Sequence, residues 1–311
     1  MNNCIVITGQ TATGKTSLAL RLAQTHNGEL INVDSRQVYK KLDIITGKDI
    51  TADSQFTLVE KMGDFEIGYY MLHGTKIWLY DIVHPKQLFS AIDYAVCALR
   101  VIEILEKQGK TPIIVGGTYY YLKNLLYGHI ETISEPDEKL RAELNIKDIS
   151  EIQEILKTKK PKLFESLNNS EKHNRHRLIR KIELLNQPQV NSSTNNIGLS
   201  ETHDVQMIGL HYEKNTDLET AITKRVHDRI EQGAIAEVEN LLKAGYTSTD
   251  PGLRTIGYIQ IMQYLTKELT LEEMIQIWIT KEIQYAKRQK TFIQADTTIQ
   301  WYSPLDTDHI I

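Results

Sequence analysis

The sequence predicts an α/β protein, a parallel sheet flanked by helices, with a small all-α domain inserted into it. Three features carry this expectation. Strand, helix and strand alternate over the first 118 residues, a rhythm that builds parallel sheets with helices on both faces. Residues 129–184 then lose every strand pattern and become polar and basic. An apolar run at Val205–His211 returns the chain to the sheet, and helical periodicity dominates from Asp217 to Ala295.

Cys4-Ile5-Val6-Ile7-Thr8 reads as the first strand, running into a glycine-rich turn. Lys15–Ala23 follows with Leu18, Leu20, Leu22 and Ala23 at helical spacing, ending near Asn27-Gly28. A second strand, Glu29–Val33, stops at Asp34. Residues 55–82 alternate as added strands, with His73-Gly74 as a hairpin turn and Asp81 closing an apolar run from Ile77. Ala91–Gln108 is an amphipathic helix stopped by Gly109, and Thr111–Val115 is a strand closing on Gly116-Gly117-Thr118. The expected domains are a core of residues 1–128 and 185–311 and a helical insertion of 129–184. Asn186–Ser200, rich in Asn, Ser and Gln, reads as a linker.

Composition excludes several classes. With 41% hydrophobic and 24% charged residues the chain is that of an ordinary globular protein. No stretch approaches the roughly 18 apolar residues that cross a bilayer, and the start lacks a secretory pattern. Cys4 and Cys97 fit no metal-ligand spacing. A cytoplasmic protein with reduced thiols is the expectation. Net charge is −4, yet Lys157, Lys159, Lys160, Lys162, Lys172, Arg175, Arg177, Arg180 and Lys181 face only Glu165 and Glu171 between them. Such a segment holds a polyanion locally, or forms a solvated helix face.

Gly9-Gln10-Thr11-Ala12-Thr13-Gly14-Lys15-Thr16 matches the phosphate-loop pattern G-x-x-x-x-G-K-[ST]. Its glycines turn backbone N–H groups inward around a phosphate, Lys15 supplies a cation and the Thr16 hydroxyl is placed to ligate Mg²⁺. The pattern lies between a strand and a helix, so the core is expected to be P-loop NTPase-like. It specifies a diphosphate or triphosphate with magnesium and leaves the reaction open. Asp81 is a candidate carboxylate for the metal, and a small-molecule kinase is the first reading on these residues alone.

Further strings narrow the choice. Ile31-Asn32-Val33-Asp34-Ser35-Arg36-Gln37-Val38-Tyr39-Lys40, Pro112-Ile113-Ile114-Val115-Gly116-Gly117-Thr118, Arg177-Leu178-Ile179-Arg180 with Glu183, Arg254-Thr255-Ile256-Gly257-Tyr258 and Tyr285-Ala286-Lys287-Arg288-Gln289 follow the loop in order. Together they resemble the tRNA dimethylallyltransferase family over nearly the whole chain. The resemblance implies transfer of a dimethylallyl group from dimethylallyl diphosphate to N6 of adenosine 37 in the tRNA anticodon loop, with Mg²⁺ as cofactor. It implies a monomer that takes tRNA and the prenyl donor. Gly9 to Thr16 would bind the diphosphate, Asp34 would act as general base, and Lys15, Thr118 and Arg225 would join the catalytic set. Asp34, Ser35, Arg36, Gln37, His176, Arg177, Arg180, Arg254, Gly257, Tyr258, Lys287, Arg288 and Gln289 would contact the tRNA. Tyr119-Tyr120-Tyr121 reads as packing and stays outside the site.

The chain departs from the family pattern at Gln10, where Pro or Ala is usual, with a side chain expected to point away from the loop. Residues 49–77 are longer than usual, Lys172-His173-Asn174 replaces a Pro-Asn-Asp approach, Ile283 replaces an arginine, and Phe292-Ile293-Gln294 replaces Trp-Phe-Arg. Other readings are an adenylate isopentenyltransferase acting on free AMP, ADP or ATP, and a catalytically reduced tRNA-binding paralogue. The basic insertion favours a macromolecular acceptor.

Overall fold

A computed structural model describes residues 2–51, 53–128, 137–186, 198–307 and 309–310. They fall into two compact units, one built from Met1–His129 and Ile197–Ile311, the other from Ile130–Asn196.

The larger unit opens with β1 (Asn2–Gly9), α1 (Lys15–Thr25) and β2 (Gly28–Asn32), then the antiparallel additions β3 (Thr57–Met62), β4 (Phe65–Leu72) and β5 (Thr75–Trp78). The turn between β4 and β5 is His73-Gly74, both at positive φ, as the sequence predicts. Next come α2 (Ala91–Lys107), β6 (Thr111–Val115) and α3 (Tyr119–Tyr127). Ser90 and Asp93 close a reciprocal cap on α2, satisfying N–H groups at its start.

The smaller unit holds α4 (Glu138–Asn145), α5 (Ile149–Lys159), α6 (Pro161–Ser166), α7 (Asn169–Lys172) and α8 (Arg175–Asn186). Helix α8 runs two residues past the boundary read from the sequence. The linker expected at Asn186–Ser200 lies largely outside the described residues. The chain re-enters the larger unit through α9 (Leu199–Thr202) and β7 (His203–Leu210). It continues as α10 (Asn215–Glu231), α11 (Ala234–Lys243), α12 (Tyr258–Leu265), α13 (Leu271–Ile293) and β8 (Gln300–Tyr302). The short strand β8 has no counterpart in the sequence reading.

The eight strands form one sheet in the order β3-β4-β5-β2-β6-β1-β7-β8. From β5 to β8 every pairing is parallel; β3, β4 and β5 pair antiparallel. Period-two alternation places Cys4 and Val6 of β1 in one core and Ile5 and Ile7 in another, because successive strand side chains point to opposite faces. Leu18, Ala19, Leu22 and Ala23 of α1 cover the second face, while α2, α3 and α10 to α13 cover the first. Full burial of each large aliphatic side chain contributes about 1.5–3 kcal/mol. This sheet carries β1, β2 and β6 side by side, so the loops after all three open at one edge.

The smaller unit has its own core of Leu144, Ile152, Leu156, Leu167, Leu178, Ile179 and Ile182. Glu183 is fully buried beneath it and accepts Arg141 at 2.5 and 3.1 Å and Arg180 at 3.0 Å. Burial alone would raise its pKa, but the two guanidinium groups override that and hold it below the ordinary value. Glu183→Leu therefore removes the anion that both arginines share. The expected cost is about 2–3 kcal/mol, below the figure for a wholly buried pair because both arginines are partly exposed. Thermal unfolding checks this; a variant as stable as wild type would show the pair to be neutral. The wild-type contribution is present above the ordinary carboxylate pKa and is lost as pH falls through the depressed one.

Candidate active site

The site grows from the loop between β1 and α1. Gly9 (φ 126°) sits where a Cβ would lie 2.0 Å from the Leu210 carbonyl oxygen, so only glycine lets β1 end against β7 there. Gly14 (φ 74°) caps α1 without a side-chain hydrogen bond, leaving the helix's first N–H groups open to the cavity. The Lys15 ammonium folds back over the loop and donates to the carbonyls of Gln10 at 2.6 Å and Gly9 at 3.3 Å. Burial, and then Arg225, lower its pKa to about 7, against a smaller opposing pull from Asp34.

The Gln10 side chain does point away from the loop. It donates to the Ala286 carbonyl at 3.3 Å and accepts the Tyr212 amide at 2.9 Å. Gln10 thus braces the loop between β7 and α13, and only its backbone belongs to the cradle. Gln289 braces the other side. Its amide accepts the Thr11 N–H at 2.9 Å and donates to the Gly117 carbonyl at 3.0 Å. Expected among RNA contacts, Gln289 is instead 7% exposed with both ends engaged; it ties the phosphate loop to the turn after β6.

Asp34 lies just beyond β2 and Thr118 beyond β6. The Asp34 carboxylate accepts the Arg36 N–H at 2.8 Å, and its own N–H donates to Asn32 at 3.0 Å. This local turn fixes the carboxylate at the strand end. The Thr118 hydroxyl accepts the Ser35 N–H at 2.9 Å and donates to Ser35 Oγ at 3.2 Å. The Thr118 hydroxyl thereby holds the turn that carries Asp34.

Asp34 and the loop residues Thr11 to Ser17 line one cavity of about 540 Å³, together with Gln37, Asp43, Ile44, Thr46 to Ile50, Tyr80, Gly116, Gly117, Arg225, Arg229 and Tyr285. Arg225 donates to the Thr11 hydroxyl at 2.5 Å. Arg229, which the sequence reading missed, is buried on the same helix one turn later and pairs with Glu282 at 3.1 Å. Burial first, then the neighbouring Arg225, lower the Arg229 pKa to about 10. Lys15 of α1 and Arg225 and Arg229 of α10 thus line one cavity, with Lys48 and Lys224 and with the Asp34 carboxylate.

The candidate metal carboxylate at Asp81 is not part of this cavity. Its strand ends at Trp78, and the chain turns through positive φ at Leu79 and Asp81. That turn buries Asp81, which is held by Lys48 and by Tyr70 Oη. Lys48 also donates to Asp43 at 2.7 Å and to the Tyr39 carbonyl at 2.8 Å. Asp81 anchors the 43–48 loop, a structural duty. Among the described residues no group of three His, Cys, Asp or Glu side chains could hold a metal ion. Oxygen donors that line the cavity, among them the Thr16 hydroxyl and the Asp34 carboxylate, fit an ion that keeps phosphate and water ligands, as Mg²⁺ does.

Gly257 and Tyr258 also turn inward. Tyr258 is fully buried and donates to Glu237 at 2.5 Å. A Cβ on Gly257 (φ 96°) would lie 2.6 Å from Ile45 and 2.8 Å from Trp278. Both were expected to contact RNA; they pack the core instead, and Arg254 beside them is exposed. Lys287 and Arg288 are exposed and line a second concavity of about 630 Å³ with Lys123, Tyr119, Tyr127 and Phe292. The hydroxyls of Tyr119 and Tyr127 both donate to Asp296, which holds these rings in place. Tyr119 and Tyr121 are buried in the core, as the packing reading expects, whereas Tyr120 is exposed. His176 and Arg177 are exposed, and Arg180 half-buried, on α8 of the smaller unit.

The family model for IPP transferase matches residues 37–296, and that for isopentenyl transferase matches residues 2–60. A tRNA dimethylallyltransferase 2 of Geotalea uraniireducens is 36% identical over 301 residues, 96% of this chain and 91% of the relative. The chain belongs to the tRNA dimethylallyltransferase family. A family member from Staphylococcus haemolyticus is 34% identical, over 96% of this chain and 86% of its own. Among solved members, a tRNA isopentenylpyrophosphate transferase of Bacillus halodurans superposes with a TM-score of 0.68 at 28% identity, covering 98% of this chain and 90% of its own. A eukaryotic dimethylallyltransferase captured acting on tRNA gives 0.77 at 25% identity, covering 99% and 75%. No helix of the described residues is long and apolar enough to cross a membrane.

Proposed function

We propose that this chain transfers the dimethylallyl group of dimethylallyl diphosphate to N6 of adenosine 37 in tRNA, releasing diphosphate. One observation carries the reading. A single cavity is lined by the phosphate loop, by cations that include Lys15, Arg225 and Arg229, and by the Asp34 carboxylate just beyond β2. The cations suit the diphosphate of the donor, and Asp34 is the carboxylate at the strand end that would take a proton from the acceptor amine. The names of the relatives, tRNA dimethylallyltransferases, support the same acceptor and donor.

In the reaction the N6–C1 bond forms as the C1–O bond to diphosphate breaks. Asp34 takes the N6 proton, so that the weakly nucleophilic aryl amine attacks without accumulating positive charge. The loop amides, Lys15 and Arg225 receive the negative charge developing on the leaving diphosphate. Mg²⁺, held by Thr16 and the diphosphate, would add charge neutralisation at the leaving group. Thr118 fixes the Asp34 turn, and Gln289 keeps the loop in register with it. The target base leaves its stack to reach this cavity, at low cost in a single-stranded loop. Ser35, Arg36, Arg254, Lys287 and Arg288 contact the tRNA from the larger unit, with the exposed Phe292 suited to base stacking. His176, Arg177 and Arg180 would hold phosphates from the smaller one.

Transfer of radiolabelled prenyl from dimethylallyl diphosphate, with Mg²⁺, to an A36-A37 anticodon stem-loop, AMP or ATP tests this. Label on the stem-loop alone is expected. Label on AMP or ATP would reassign the acceptor to free nucleotide, and no label on any of them would sink the prenyl-transfer reading.

A further inference from the structure

The segment Asp34-Ser35-Arg36-Gln37 is expected to meet RNA as a unit, but the Gln37 amide nitrogen is engaged by the cavity wall. That nitrogen donates to the Gly47 carbonyl at 2.8 Å and to the Thr46 carbonyl at 3.2 Å. Gly47 lies at the cavity wall with φ 70°, where an added Cβ would stand 2.8 Å from Nη2 of both Arg225 and Arg229. Arg225 in turn donates to Thr11 in the phosphate loop. The 43–47 turn is held from behind as well, where Glu237 accepts the N–H groups of Asp43 at 2.9 Å and Ile44 at 2.7 Å. A continuous run of contacts therefore joins the Asp34 turn, through Gln37 and Gly47, to Arg225 and the loop.

We infer that Gln37 is a positioning residue for the diphosphate wall, setting where Gly47 lets Arg225 and Arg229 stand, and that it does not read a base. The inference rests on the assignment of this cavity to a diphosphate. It makes physical sense of a glycine at position 47: its positive φ suits glycine, and an added Cβ would crowd both guanidinium groups. It also means that the turn carrying the acceptor-side carboxylate and the wall carrying the donor-side cations are set by one side chain. A one-ångström error in either is costly to the reaction.

The test uses full-length protein and inorganic pyrophosphate with Mg²⁺, titrated calorimetrically without RNA. Gln37→Met keeps side-chain length and loses both donors. The lost hydrogen bonds and the loosened turn are expected to weaken pyrophosphate binding by about tenfold. KM for dimethylallyl diphosphate should rise in step, and KM for the stem-loop should stay within about twofold, since no RNA contact is lost. Gly47→Ala, with Gln37 intact, should weaken pyrophosphate as well. The double variant should fall short of the product of the two, because both act on one wall. Unchanged pyrophosphate affinity in Gln37→Met with a raised stem-loop KM would overturn the inference and make Gln37 a base reader. If Gln37→Met does not fold, unchanged affinity in Gly47→Ala overturns it equally. Wild-type protein that binds no pyrophosphate would instead remove the diphosphate assignment on which the inference stands.

Discussion

Asp34→Asn should bind pyrophosphate as tightly as wild type and yet lose prenyl transfer by a factor of about 10²–10⁴, the usual contribution of a positioned general base. The substitution is chosen for what it keeps. Asparagine retains the oxygen that accepts the Arg36 N–H, so the turn after β2 survives. Thr118 continues to hold Ser35, so the strand end does not move. What disappears is the basic oxygen that takes the N6 proton. Single-turnover transfer to the stem-loop, with pyrophosphate affinity measured alongside, separates the outcomes. A rate equal to wild type would exclude Asp34 as the base, whatever happened to affinity. Slower transfer with weakened pyrophosphate binding would point to a collapsed cavity.

The parts of this site that were legible in the sequence are those made by backbone. Gly9, Gly14 and Lys15 announce themselves because the loop they form needs glycine torsions and one cation at fixed spacing. The family resemblance pointed to Asp34 and Thr118, and the apolar runs that end there agreed with it, since the ends of neighbouring parallel strands meet at one edge of a sheet. His73-Gly74 declared its hairpin for the same local reason. What escaped was direction. Gln289 and Tyr258 stand in polar or aromatic strings that read equally well inward or outward, and only the packing of α13 and α12 turns them in. Arg229 and Lys48 escaped because a buried cation depends on partners far along the chain, Glu282 for one and Asp81 for the other. Asp81 was misread as a metal candidate because the bend that ends β5 at Trp78 leaves no mark in an apolar run. The strand β8 is three residues long, too short for any alternation to show.

Lys15→Met should weaken pyrophosphate binding by about ten- to a hundredfold or more, the range for losing a hydrogen bond to a charged group, and should also abolish a pH dependence that wild type shows. The Lys15 pKa stands near 7 without an anion present, because burial and Arg225 disfavour its charge more than Asp34 supports it. An unfolded chain keeps that proton to about pH 10.4. Between pH 7 and about 10 the unfolded state therefore binds more protons, and this residue makes the protein more stable as pH rises. Diphosphate acts in the opposite sense. It favours the ammonium, so at pH 8 binding should draw in a proton, and affinity should fall as pH climbs above 7, by up to tenfold per unit. Calorimetry in two buffers of different ionisation enthalpy measures the proton directly. Arg225→Ala relieves the repulsion and should move the onset of the fall to higher pH, even as it weakens binding overall. Lys15→Met, which has no proton to gain, should lose the Lys15 share of this uptake. Wild-type affinity that stays flat from pH 7 to 9 would mean that Lys15 is already charged in the empty cavity. The phosphate loop would then hold its full positive charge, Lys15 included, before the anion arrives.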